Sequence, residues 1–222
     1  MINFLRRPLA ELCGTMLLVA AVVGSGIMAD RLSGGNAALA LLANTAATAA
    51  ALLALITAFS PISGAHFNPV VSVVEAVEKA LPWRSVPVYI VAQVVGALLG
   101  VAVAHAMFGL PLYALSLHER SGGAQLFSEA VATFGLLLII GGVSHAKPTA
   151  VPACVASYLA SAYWFTGSTS FANPAVTIAR AFSDTWTGIR PVDVPGFLLA
   201  QVGGAAISVF VRGLFWPREN PT

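Results

Sequence analysis

The 222-residue chain is 58% hydrophobic and only 9% charged, with a net charge of +2 and a mean hydropathy of +0.85. A soluble domain carries about a quarter charged residues, so this composition cannot cover a water-facing surface and places the chain in a membrane. The small charge and the absence of a basic run exclude a nucleic-acid partner, and Cys13 and Cys154, both inside apolar segments, do not suggest a disulfide framework.

The first apolar run, 9–28, is long enough to span a hydrocarbon core, which takes roughly 20 residues. It follows Arg6-Arg7 as a signal peptide would, but it carries Glu11 and leads into Asp30-Arg31 instead of a small-residue cleavage site. It reads as a first transmembrane helix. Further spans are predicted at 37–59, 86–108, 124–143, 149–165 and 193–212, the fifth being short and containing Pro152. Two semi-apolar pieces, 68–78 and 173–183, reach about half a bilayer at ~1.5 Å per residue and suit re-entrant half-helices.

The predicted fold class is therefore an all-α membrane protein with six transmembrane helices and two half-helices. Its two halves, about 1–110 and 120–222, repeat within one domain spanning 1–222. Glu11 matches Glu129, Asn68-Pro69-Val70 matches Asn173-Pro174-Ala175 at a distance of 105 positions, and Ala92-Gln93 matches Ala200-Gln201. Three spans per half is an odd number, so the second copy inserts upside down and the half-helix tips meet near the midplane. Arg6, Arg7, Lys79, Arg84, Lys147, Arg212 and Arg218 fall on one side against Arg31, Arg120, Arg180 and Arg190 on the other, which favours cytoplasmic termini.

Each Asn-Pro pair is a device for starting a helix at depth. Asn is a strong N-cap through its side-chain oxygen, and Pro suits the first helical position. The amide NH₂ of Asn68 or Asn173 is then left to donate to a solute in a lumen. Two facing helix N-termini oppose cations and tolerate neutral hydrogen-bonding molecules. The lead-in Ser63-Gly64-Ala65-His66-Phe67 and its counterpart 168–172 suit extended backbone whose carbonyls line the path.

Glu11 and Glu129 fall inside spans, where a carboxylate is costly. Their duplicate placement suits bracing of the irregular loop in each half better than a proton relay. Gln93 and Gln201 suit polar contacts between helices, and Gly96, Gly100, Gly203 and Gly204 suit close packing. His66 has no histidine at paired spacing and reads as a loop residue, so no metal and no cofactor are expected. Gly24-Ser25-Gly26 is too weak a signal for a membrane serine protease, and no enzyme is expected.

On Ala10-Glu11, Ser63-Gly64-Ala65-His66-Phe67-Asn68-Pro69, Ala92-Gln93 and Asn173-Pro174-Ala175, the chain resembles the aquaporin and aquaglyceroporin family over its whole length. The resemblance implies one pore per subunit, a homotetramer, and small neutral solutes and water as its partners within the lipid bilayer. Two positions depart from the family pattern. Val70 stands where alanine is usual, and Val176 stands where an arginine follows the second box, with Arg180 four residues on. Gap-free counting from the boxes puts the remaining selectivity-filter positions at Thr48, Ser161 and Ser170, giving a small, uncharged and wide ring.

With valine at 176 the chain looks most like bacterial aquaglyceroporins associated with arsenic resistance. The resemblance then implies passive passage of glycerol-like polyols, neutral arsenite and antimonite hydroxides and methylated arsenicals, with some water, across a bacterial inner membrane. The alternatives are a plain water or glycerol channel and, from another class, a coupled secondary transporter.

Overall fold

The computed structural model describes residues 2–217, with side chains from Leu5 onward. It contains α1 (Ile2–Leu32), α2 (Ala37–Ser63), α3 (Pro69–Val77), α4 (Val86–Met107), α5 (Gly123–Ala146), α6 (Val151–Phe165), α7 (Pro174–Arg180) and α8 (Val194–Phe215). There is no strand among the described residues. Helix α1 packs on α4 and α2, α5 packs on α8 and α6, and α2 faces α6 across the middle. The half-helices α3 and α7 lie between these groups, each touching α4, α8 and the other.

The tight pairings rest on glycines. A Cβ added at Gly96 would run into the Leu12 carbonyl oxygen, and one at Gly204 into the Ala130 carbonyl oxygen. Gly100 lies equally close to α1, where a Cβ would stand 2.5 Å from the Met16 oxygen. Gly203, by contrast, faces open space and has no packing role. The outer surfaces carry exposed Leu17, Leu53, Val91, Leu199 and Phe210, as a lipid-facing wall requires.

Among the described residues five helices are long and apolar enough to cross a membrane. The sixth, α6, has 15 residues and continues from a 3₁₀ turn at Pro148–Ala150. Together they reach about 28 Å, close to the thickness of a hydrocarbon core. The prolines at 148 and 152 account for its tighter start.

Helix α7 stops at Arg180, three residues short of the predicted 183. Beyond it the Ala181 and Phe182 carbonyls accept hydrogen bonds from Ser116 and Ala114 of the α4–α5 loop.

The charge count changes as well. Arg212 is buried in the last turn of α8, 3.9 Å from both Glu75 and Glu78 of the α3 end, so it ties α3 to α8 instead of standing in a loop. Arg120 and Arg180 are also buried, and Arg218 lies outside the described residues. What remains is Arg6, Arg7, Lys79, Arg84 and Lys147 against Arg31 and Arg190.

Candidate functional site

Two irregular loops, 64–68 and 169–173, lead into the half-helices. They share a backbone that few residues adopt. Gly64, Ala65 and Phe67 have φ of 92°, 52° and 50°, and Thr169, Ser170 and Ala172 have 59°, 51° and 47°. Each pair is 105 positions apart, the same offset as the Asn-Pro boxes. Left-handed backbone at a residue with a Cβ costs of order 1 kcal/mol or more, so something must hold it.

The two buried glutamates supply that hold. Glu11, fully buried, accepts from the backbone N–H of His66 at 3.0 Å and Phe67 at 2.7 Å, and from the Ser63 hydroxyl at 2.6 Å. Glu129, also fully buried, accepts from the N–H of Phe171 at 2.8 Å and Ala172 at 2.9 Å. Gln93 donates to both Glu11 and Ser72, and Gln201 donates in the same way to Glu129 and Thr177. Each carboxylate is thus surrounded by donors, which is how a buried charge is tolerated.

Asn68 and Asn173 cap α3 and α7. The Asn68 Oδ1 accepts from Val70 N–H, and the Asn173 Oδ1 from Ala175 and Val176 N–H. Their amides are not wholly free, as a simple capping argument assumes. Asn68 Nδ2 donates to the Ala172 carbonyl at 2.8 Å, and Asn173 Nδ2 donates to the Phe67 carbonyl at 2.8 Å. Each loop tip therefore supplies the acceptor for the other. An amide nitrogen carries two N–H groups, so one on each asparagine is left without a partner among the described residues.

The tips stand in a cavity of about 400 Å³. Asn68 and Asn173 line its middle, with Gly64, Ala65, His66 and Phe67 toward the side of the chain termini and Ser170, Phe171 and Ala172 toward the far side. His66 Nδ1 is paired with the Ser72 hydroxyl at 3.0 Å. Thr48, Val176 and Arg180 also line the cavity. Thr48 Oγ1 and Ser170 Oγ are buried there without a partner. Pro69, Val70, Pro174 and Ala175 do not reach it. Val70 packs with Val74, Leu137 and Ala205, so its departure from alanine falls on the wall behind the lumen.

Ser161 is misplaced by gap-free counting. It lies on the exposed face of α6 and its hydroxyl donates to its own helix at the Tyr158 carbonyl, 2.8 Å away. The lumen face of α6 is the stripe Val151, Val155, Leu159, Tyr163 at four-residue spacing. Residue 161 is two positions from 159 and 163, about 200° around the helix. The loop after α6 is two residues out of step with the count.

Nothing in the spacing points to Tyr163, and for Arg180 it points only to the helical face it shares with Val176. Arg180 is only 3% exposed yet lines the cavity, because its side chain folds over the Phe171 ring with its Cζ 3.4 Å from the centroid. Val176 is four residues earlier, hence on the same helical face. That i, i+4 relation was the available signal. Ser25 is spent on the Ala21 carbonyl and Asn44, which removes the protease reading.

Paired half-helices capped by asparagine, crossing at the middle of a six-helix bundle, define a membrane channel. The sequence profile of the Major intrinsic protein family matches residues 1–160, and the chain belongs to that family. Aquaglyceroporin AqpS of Rhizobium meliloti (strain 1021) is 53% identical over 214 residues, covering 96% of this chain and 91% of that protein. Aquaporin NIP1-3 of Oryza sativa subsp. japonica is 30% identical over 92% of this chain and 73% of its own length. The fold is similar to that of the aquaglyceroporin from Plasmodium falciparum, with a TM-score of 0.68, 22% identity, and 96% of this chain and 95% of that one covered. The chain is an integral membrane channel and not an enzyme.

Proposed function

We propose that the chain is a passive channel for small neutral hydroxylated solutes, with some water. The solutes are glycerol-like polyols and the neutral hydroxides of trivalent arsenic and antimony, together with methylated arsenicals. The observation that carries this is the spare N–H on each of Asn68 and Asn173 at the middle of a lumen whose lining includes the small, uncharged residues Thr48, Ser170 and Val176. A buried polar group without a partner is costly, and the hydroxyl oxygen of a solute accepts from these N–H groups as it passes.

The selectivity filter is assigned to Thr48, Ser170 and Val176, with Tyr163 and Leu159 completing the wall that Ser161 does not reach. The side chains at Thr48, Ser170 and Val176 are small and uncharged, which supports passage of solutes larger than water. Glu11 and Glu129 act as structural carboxylates, and the boxes form the pore midplane.

The whole chain, 1–222, acts as one channel domain of two inverted halves, with both termini cytoplasmic. It assembles as a homotetramer in a bacterial inner membrane. The name of the Rhizobium relative supports the solute class, and valine at 176 supports the arsenic hydroxides by resemblance.

The test is solute uptake into proteoliposomes with no ion gradient, comparing water, glycerol, arsenous acid and methylated arsenicals. Downhill flux of the larger solutes is expected, and uphill uptake driven by an imposed ion gradient would overturn the channel reading. Val176→Arg should narrow the filter and slow glycerol and arsenous acid more than water. An unchanged solute-to-water ratio would remove Val176 from the constriction.

A further inference from the structure

Arg180 and Arg120 converge on the outer end of the lumen, and neither has an ion-pair partner among the described residues. Their guanidinium carbons lie 3.4 Å and 4.9 Å from the centroid of the same Phe171 ring. Arg120 is committed to the wall. Its Nε donates to the Gly188 carbonyl at 2.8 Å and its Nη1 to the Ser168 carbonyl at 3.3 Å. Arg180 is held differently. Its Nε donates to the Thr187 carbonyl, while its terminal N–H groups have no partner among the described residues and the side chain borders the lumen.

The carbonyl that holds Arg180 is itself anchored. His105 Nε2 is paired with the Ser183 hydroxyl at 2.8 Å, Ser183 with Thr185 at 2.9 Å, and Thr185 with Thr187 at 3.2 Å. This polar chain fixes the segment after α7 to the last turn of α4. Gly26 completes the fit, since a Cβ there would collide with the Thr187 methyl.

A buried cation is expensive unless paired or compensated by dipoles. Here an aromatic face and a carbonyl dipole compensate it, while Glu129, held by its own loop, acts on it only through space and forms no ion pair with it. Its field therefore acts on the lumen, in a low-dielectric wall where a unit charge is weakly screened. Charged residues kept at membrane depth without neutralisation mark a transport path.

We propose that Arg180 is the cation-excluding residue of this channel. It stands one helical turn outward of Val176, so the charge guards the mouth while the constriction stays free of a bulky side chain. Phe171 and Thr187 are positioning residues for it. The inference rests on the neutral-solute reading given above.

Urea and guanidinium make the test, because they are close in shape and differ in charge, so pore width cancels in their ratio. The protein in proteoliposomes is expected to pass urea and reject guanidinium. Arg180→Gln should raise the guanidinium-to-urea permeability ratio at least tenfold, equivalent to about 1.4 kcal/mol. Arg180→Lys, which keeps the charge, should stay within about threefold of the unaltered protein, a spread below 1 kcal/mol. Urea flux above that of empty liposomes verifies that each variant is folded.

An unchanged ratio in Arg180→Gln overturns the proposal, as does Arg180→Lys leaking as much as Arg180→Gln. If Arg180→Gln does not fold, the unaltered protein still decides: guanidinium passing at the rate of urea refutes a positive guard. Absence of any urea or glycerol flux in the unaltered protein is a separate result, and it strikes the channel reading instead.

Discussion

Glutamine at 129 keeps the shape of the side chain and removes its charge. Glu129 Oε2 accepts from two donors, Ala172 N–H at 2.9 Å and Gln201 Nε2 at 2.7 Å, while Oε1 accepts from Phe171 N–H alone at 2.8 Å. The amide oxygen of Glu129→Gln therefore takes the Oε2 place, and its NH₂ is forced against the Phe171 N–H. One charge-assisted bond is lost, about 1.5–3 kcal/mol, and a buried donor is left unmet at about 1–3 kcal/mol. Relief from burying a carboxylate offsets part of this.

The net loss is about 2–4 kcal/mol. For a chain of this length each kcal/mol lowers the melting temperature by about 2–4 °C, so a fall of about 5–15 °C is expected. The assay is thermal unfolding of the purified protein in detergent by circular dichroism, paired with glycerol uptake at a temperature below both transitions. Glycerol flux should fall too, because Ala172 carries the carbonyl that holds Asn68. Melting within about 2 °C of the unaltered protein refutes the reasoning, because it would mean that the carboxylate does not brace the loop.

Two further outcomes follow from the helix faces. Leu159→Phe should slow glycerol more than water, whereas Ser161→Phe should leave the glycerol-to-water ratio unchanged; stopped-flow light scattering on vesicles reads both. Gly204→Val should abolish recovery of folded protein in detergent by size-exclusion chromatography, since even its Cβ would meet the Ala130 carbonyl oxygen and the α5–α8 contact could not close. Normal recovery of Gly204→Val would mean that the two helices can separate without cost.

Features governed by near neighbours in the chain were legible from residues alone. The Asn-Pro caps are local chemistry, and they start α3 and α7 where the pattern places them. Glu11 and Glu129 were legible as loop partners because a buried carboxylate demands donors and only the loops had spare N–H groups. Ser161 failed because its register depended on the length of an irregular loop, which periodicity does not measure. The reach of Arg180 into the lumen was not legible for another reason: a long side chain can fold back over an aromatic ring, and spacing along a helix gives its face but not that reach. Arg212 looked like a loop charge until its partners Glu75 and Glu78 on α3 were in view.

The crossed asparagines have a consequence for how the halves depend on each other. Asn68 takes its acceptor from residue 172, and Asn173 takes its acceptor from residue 67. A half on its own would leave an amide and a carbonyl bare at membrane depth, where each unmet group costs several kcal/mol. Neither tip can therefore be completed before its counterpart arrives. A change that shifts one loop must be felt at the opposite mouth, so the two entrances are bound to adapt together.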